Sequence, residues 1–189
     1  MDVIIAQGSE AGGQGMALIP QVVGSVDPIP VLAAGGVADG RGLAAALVLG
    51  AQGANVGTRF LASEEASADD TWKLAILQTE SEDVVRFEVW TEILPSTSDR
   101  AYETVPRVMR TPFVEEWLQR PEEARREAER LRAEIMSVVQ RHRPHELVPF
   151  TGQRAGLIHE MLPAAEIVRT MITDAEQALG RPSTLRNSS

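Results

Sequence analysis

Glycine-rich turns follow three short apolar segments in the first third of the chain. The segments are residues 3–6, 30–34 and 53–56, and the glycines after them include Gly12, Gly13, Gly35, Gly36 and Gly57. Because glycine has no Cβ, its backbone N–H can come close to an anion. Thr58 directly follows Gly57 and adds a hydroxyl donor. Together the three turns predict a phosphate-binding surface, although a single glycine turn is more often only a turn.

The stretches between these turns have the pattern of helices. Residues 17–26 and 40–49 are expected to be helical, so strands and helices alternate as in a parallel α/β sheet or barrel. Right-handed crossovers bring the ends of such strands to one face. In (β/α)₈ barrels, the loops after the seventh and eighth strands form a common phosphate site at that face. We therefore expect three parallel strands whose ends share one site.

The remainder of the chain is predicted to be mostly helical. Its expected elements are a helix at 69–79, a hairpin or edge strand at 84–93, and an amphipathic helical region at 113–142. Pro121 is expected to divide that region into two helices. Pro163 is expected to be the first residue of a last helix, which runs to Gly180.

The composition excludes several classes of function. A net charge of −9 argues against nucleic-acid and anionic-membrane partners, because phosphates would be repelled. The absence of cysteine excludes disulfides, thiolate metal sites and cysteine nucleophiles. No apolar run approaches the ~20 residues of a membrane span, and no basic region marks a signal peptide. We expect a cytoplasmic protein with no metal site, since the histidines lack the spacing of a ligand set.

Several stretches resemble the nitronate monooxygenases, formerly called 2-nitropropane dioxygenases. They are residues 6–13 (AQGSEAGG), 31–42 (VLAAGGVADGRG), 50–61 (GAQGANVGTRFL), 150–158 (FTGQRAGLI) and 163–168 (PAAEIV). The FMN-dependent enoyl-ACP reductases of bacteria share this pattern. The resemblance implies an FMN-dependent oxidoreductase that uses molecular oxygen to convert a nitronate into a carbonyl compound and nitrite.

The resemblance also implies the fold, which would be the C-terminal portion of a (β/α)₈ TIM barrel with its last three strands. Residues 1–80 would belong to the FMN-binding barrel and 81–149 to a mainly helical lid or insert. Residues 150–180 would form a return loop and a closing helix, and 181–189 a disordered tail. Carried over by position, the FMN contacts would come from Gln7, Gly12, Gly13, Gly35, Gly36, Asn55, Val56, Gly57, Thr58 and Gln153.

Two departures from the family pattern affect function. The family has a catalytic histidine after its Glu-Ala-Gly-Gly sequence, and this chain has Gln14 there. Glutamine cannot take a proton at neutral pH, so base chemistry is lost, whereas a preformed nitronate needs no deprotonation. A complete barrel also needs eight strands, and only three are visible. We expect either a fragment or a chain that pairs with a partner chain supplying the missing strands.

Two alternative functions remain open on the sequence. One is an FMN-dependent enoyl-ACP reductase, which would need NAD(P)H. The other is a non-catalytic remnant that binds a phosphate ligand or a partner chain, which the missing strands and Gln14 favour.

Overall fold

The computed structural model describes residues 2–7, 15–94 and 105–181. Predictions for Gly12, Gly13 and Gln14, and for the tail from residue 182 onward, lie outside the described residues. The strands are β1 (Ile4–Gln7), β2 (Val31–Ala34), β3 (Gly53–Asn55), β4 (Val84–Arg86) and β5 (Arg107–Met109). The helices are α1 (Gly15–Val26), α2 (Gly40–Val48), α3 (Thr58–Leu61), α4 (Asp70–Gln78), α5 (Trp90–Ile93), α6 (Pro112–Gln119), α7 (Pro121–Arg126), α8 (Ala128–Gln140) and α9 (Ala164–Leu179).

A three-stranded parallel sheet in the order β1-β2-β3 begins this α/β fold. The prediction of three parallel strands with intervening helices is confirmed. The middle strand β2 is almost wholly buried, with Val31 and Ala33 among the least exposed residues. This burial explains its apolar run, because a central parallel strand is covered on both faces. The register pairs Gln7 with Ala34 and Ala34 with Asn55, so the carboxyl ends of the three strands are level.

Helices α2 and α9 pack closely on each other. Asp39 caps α2 by accepting a hydrogen bond from the Gly42 N–H at 2.9 Å. A Cβ placed on Gly40 would lie 2.6 Å from the Met171 carbonyl oxygen and would also clash with the Cβ of Asp174. The lack of a side chain at Gly40 therefore allows α2 to touch the backbone of α9.

Pro163 precedes α9 as its N-cap and is not its first helical residue, so the predicted start was one residue early.

Residues 81–149, called the insert here, combine helices with a small antiparallel sheet of β4 and β5. The prediction of a hairpin or single edge strand over 84–93 was wrong beyond Arg86. Trp90–Ile93 forms the helical turn α5, and the partner of β4 is β5, much later in the chain. The turn lets Ile93 reach the same buried cluster as Phe87.

The helices of the insert enclose a hydrophobic core of their own. Thr111 caps α6 through its hydroxyl oxygen, and Pro112 is the first helical residue. The predicted division at Pro121 is confirmed, because α6 ends at Gln119 and α7 starts at Pro121. A second division, at Glu127, was not predicted. The buried core consists of Phe87, Val89, Ile93, Val108, Phe113, Val114, Trp117, Ala124, Leu131, Ile135 and Val148.

Within the described ranges, no helix is both long enough and apolar enough to cross a membrane.

Candidate functional site

A cleft of about 590 Å³ opens at the carboxyl ends of the three parallel strands. Gln7 closes β1 at this edge, Ala34 closes β2 and Asn55 closes β3. The volume lies within the range of roughly 300–1,000 Å³ typical of small-molecule sites. Its other lining residues are Gly35, Gly36, Val37, Ala38, Gly57, Thr58, Leu61, Val105, Pro106, Arg107, Phe150, Thr151, Gly152 and Arg154.

The turn after β2 forms one wall of the cleft. Gly35 and Gly36 have φ values of +79° and +73°, in the left-handed region that favours glycine. In the part of the chain that the structure describes, a Cβ on Gly36 would meet only the Nε of Arg154, at 4.0 Å. The backbone at Gly36 therefore faces open space, which suits an approaching ligand.

The turn after β3 forms the adjacent wall. A Cβ on Gly57 would meet nothing within 4 Å, so the packing of the described residues does not explain why this position is glycine. Thr58 begins α3 immediately after it. The hydroxyl oxygen of Thr58 accepts a hydrogen bond from the Gly152 N–H at 2.9 Å. Its hydroxyl proton remains available to donate, as a hydroxyl both accepts and donates.

Residues 150–158, called the return segment here, cover the cleft from the insert side. The Thr151 N–H donates to the Arg107 carbonyl at 3.0 Å, and Phe150 bridges antiparallel to Val108. A Cβ on Gly152 would lie 3.0 Å from the Thr58 hydroxyl oxygen. The return segment therefore joins β5 on one side to the start of α3 on the other.

A buried arginine, Arg59, connects α3 to the segment that precedes α9. Arg59 is almost fully buried, and its guanidinium donates to the Glu160 carbonyl oxygen at 2.9 Å. Burial lowers the pKa of Arg59, and the nearby Glu160 partly opposes this effect. The group remains protonated because arginine titrates far above neutral pH. It therefore fixes α3 to the segment that leads into α9.

The carboxylate that follows the glycine turn of β2 most closely in the sequence, Asp39, already has partners within the protein. Burial raises the pKa of Asp39. Hydrogen bonds from the Gly42 N–H and from Arg41, together with the positive charge of Arg41, lower it by more, so the pKa of Asp39 is lowered overall. Asp39 therefore stays ionised as the cap of α2. The Gly42 N–H in the first turn of α2 is thus satisfied by a side chain of the protein itself.

The structure brings together most of the residues predicted from the sequence. Six of them line the cleft: Gln7, Gly35, Gly36, Asn55, Gly57 and Thr58. Val56 and Gln153 are not among its lining residues, although each is next in sequence to one that is. Gly12, Gly13 and Gln14 lie outside the described residues.

Sequence reasoning missed several lining residues, notably Arg107 and Arg154. Arg154 stands inside the family-like sequence of the return segment, so its charge beside Gln153 was a usable signal. Arg107 is in a strand of the insert that the sequence did not predict, and we find no local signal for it.

Comparison with known proteins identifies the family. The family model described as nitronate monooxygenase matches residues 1–174. A Staphylococcus saprophyticus protein named "Probable nitronate monooxygenase" is 46% identical over 101 residues, covering 45% of this chain and 28% of that relative.

Two solved structures resemble the whole described fold. FabK from Thermotoga maritima is 32% identical with a TM-score of 0.78, and the match covers 94% of this chain and 55% of that one. A nitroalkane oxidase from Streptomyces ansochromogenes is 25% identical with a TM-score of 0.69, covering 94% and 52%. The chain thus spans less than a third of the curated relative and about half of each of these structures. It belongs to the nitronate monooxygenase family of oxidoreductases, which is structurally related to FabK.

Proposed function

We propose that this chain is part of an FMN-dependent oxidoreductase that oxidises nitronates, and that FMN binds in the cleft. The observation that carries the proposal is the pair of glycine turns after β2 and β3. Both have open space in front of the backbone, and the two strands end side by side in the sheet. In a (β/α)₈ barrel, a phosphate site is commonly built from the loops after the last two strands, together with a short extra helix. The turns after β2 and β3 and the four-residue helix α3 correspond to those parts.

The described residues fit a flavin mononucleotide. The backbone N–H groups near Gly36 and Gly57 and the Thr58 hydroxyl would hold its phosphate. The amide side chains of Gln7 and Asn55 can both donate and accept, so they suit the polar groups of the flavin. The open space in front of Gly57 is what a closely approaching ligand requires.

The barrel itself is part of the same proposal. Among the described residues, β1 and β3 each have a strand neighbour on only one side. Val3 lies just before β1 and Ile5 lies within it, and both side chains are about half exposed although they are apolar. A closed barrel gives every strand two neighbours. Further strands, from a longer chain or a partner chain, would cover this edge and complete a (β/α)₈ TIM barrel.

The chemistry follows from the ligand and from one substitution. When bound, FMN supplies the electron-transfer chemistry by which a nitronate and molecular oxygen yield a carbonyl compound and nitrite. The protein's part is to bind and orient the reactants at the strand ends. Gln14 cannot act as a base, so we expect preformed nitronates to be better substrates than neutral nitroalkanes.

The direct test is flavin retention followed by oxygen uptake. The purified chain is incubated with FMN, freed of unbound flavin by gel filtration, and examined for visible flavin absorption. Retained flavin together with nitronate-dependent oxygen uptake in the absence of NAD(P)H supports the proposal. A chain that holds no flavin would instead favour the non-catalytic remnant, with phosphate or partner binding as its function.

A second candidate is an enoyl reductase activity, favoured by the similarity to FabK at a TM-score of 0.78. That activity would consume NAD(P)H in the presence of an enoyl thioester, without net oxygen uptake. Following NAD(P)H absorbance and dissolved oxygen in parallel on the same preparation separates the two reactions.

A further inference from the structure

We propose that Arg154 makes the cleft selective for a ligand that carries a phosphate monoester, by pairing with that phosphate across the Gly35–Gly36 turn. The proposal rests on the proposed function, since FMN differs from riboflavin by one such group. In this proposal, a residue of the return segment determines which ligand the cleft binds.

The position of Arg154 is the first argument. Its Nε lies 4.0 Å from where a Cβ of Gly36 would be, and among the described residues outside the turn it is the only heavy atom that such a Cβ would meet within 4 Å. Both residues line the cleft. The guanidinium therefore lies beside the open backbone of the turn that is expected to bind the phosphate.

The backbone on both sides of Arg154 is firmly fixed. Before it, the Gly152 N–H is hydrogen-bonded to the Thr58 hydroxyl, and the Gly152 carbonyl accepts from the Ala155 N–H at 3.0 Å. After it, Ala155 is fully buried. A Cβ on Gly156 would lie 2.7 Å from the hydroxyl oxygen of Ser81, so that contact is also close. Arg154 thus projects from a short 3-10 helix, Gln153–Leu157, which leaves only the side chain to move.

The guanidinium of Arg154 has no partner among the described residues. Within the described residues it forms no hydrogen bond or ion pair, although the protein carries a net charge of −9 and most of its arginines contact a carboxylate or a carbonyl. Asp39, which follows the Gly35–Gly36 turn in the sequence, is paired with Arg41 and caps α2. An exposed guanidinium at the wall of a cleft, with no partner in residues 2–7, 15–94 and 105–181, is available to a ligand.

The chemistry of the group suits a phosphate monoester. Guanidinium presents planar pairs of N–H donors that match two phosphate oxygens, and such charge-assisted bonds are stronger than neutral ones. Hydrogen bonds to charged groups are typically large enough to change an affinity by about 10- to 100-fold. Lysine keeps the charge but loses the two-donor geometry.

The test compares three probes on four proteins. FMN, riboflavin and inorganic phosphate are titrated into the wild-type chain and into the Arg154→Gln, Arg154→Lys and Arg169→Gln variants. Flavin fluorescence reports binding of the first two probes and calorimetry reports binding of the third. Arg169 is a matched control, because it is exposed on α9, is not among the lining residues of the cleft, and has no partner in the described part of the chain.

We expect wild type to prefer FMN over riboflavin. Arg154→Gln should weaken FMN binding about 10- to 100-fold and leave riboflavin binding unchanged, with Arg154→Lys in between and Arg169→Gln like wild type. Equal FMN affinity in wild type and Arg154→Gln would overturn the role of Arg154 while leaving the FMN proposal intact.

The remaining outcomes separate the two proposals. Phosphate binding that depends on Arg154, with no binding of either flavin, would support the anion site and remove FMN as its ligand. A wild-type chain that binds none of the three probes would overturn both proposals.

Discussion

The backbone N–H of Gly152 donates to the hydroxyl oxygen of Thr58 at 2.9 Å, joining residues 94 positions apart in the chain. This bond connects the return segment to the first residue of α3, at the edge of the cleft. Thr58→Val keeps the shape of the side chain but removes the acceptor. We expect a loss of about 1 kcal/mol in the free energy of unfolding, measured by urea titration, and weaker retention of FMN.

Thr58→Ser is the matched control, because it keeps the hydroxyl and discards only a methyl group. It should remain closer to wild type than Thr58→Val in both measurements. If the valine variant is as stable as the serine variant, the hydrogen bond to Gly152 contributes nothing to closing the cleft.

The contact between α2 and α9 gives a second prediction. A methyl group on Gly40 would lie 2.6 Å from both the Met171 carbonyl oxygen and the Ala175 nitrogen, and backbone atoms cannot rotate away. Gly40→Ala must therefore push the helices apart, and we expect a loss of about 1–3 kcal/mol in the free energy of unfolding. Urea denaturation followed by circular dichroism measures it.

Gly24→Ala is the control for the glycine-to-alanine change itself. Gly24 lies in α1 and is exposed, and a Cβ there would meet no described residue beyond its own helix within 4 Å. Because alanine favours helix, this variant should gain up to about 1 kcal/mol. Similar destabilisation of both variants would mean that close packing against α9 is not the cause.

Acid should remove a stabilising contribution of Asp69. Hydrogen bonds from the side chain and the backbone N–H of Thr71 lower the pKa of Asp69, and the charges of His145 and Arg143 lower it further. A carboxyl with a lowered folded pKa stabilises the fold fully above its unfolded pKa of about 3.9, and this stabilisation is lost as pH falls through the folded value. Asp69→Asn should therefore be less stable than wild type near neutral pH.

The difference between wild type and Asp69→Asn should shrink as the pH drops below about 4. Thermal unfolding across a pH series measures it. Asp2→Asn is the control, since Asp2 is exposed and has no ion pair within the described residues. Asp69 is the N-cap of α4. A difference that stays constant into strong acid would show that the asparagine acts through the geometry of this cap and not through the lost charge.

Gln14→His should restore base chemistry in a completed barrel. Neutral nitroalkanes must lose a proton before oxidation, and a positioned base contributes ~10²–10⁴-fold to such a step. Histidine titrates near neutral pH, whereas glutamine does not. Oxygen uptake should therefore rise more with neutral nitroalkanes than with preformed nitronates. Equal gains on both forms would show that the histidine acts through binding or charge.

The sequence predicted the parallel sheet because its signals are local. Each apolar strand is followed directly by the glycines of its turn, so both the strand and the position of Gly36 or Gly57 could be predicted. The pairing of β4 with β5 could not, since it depends on a segment much later in the chain and on the burial of Phe87 and Ile93. Likewise, only tertiary structure shows that Arg154 points to Gly36.

The close contact at Gly40 also affects the order in which the protein folds. Helix α2 is translated before α9, and the insert is translated between them. The face of α2 around Gly40 therefore stays uncovered until α9 has left the ribosome. Contacts between such distant parts of a chain close a long loop, which costs entropy and slows folding. The insert, with a core of its own, can form before α9 is available, so α2 gains this packing partner only after the insert has been translated.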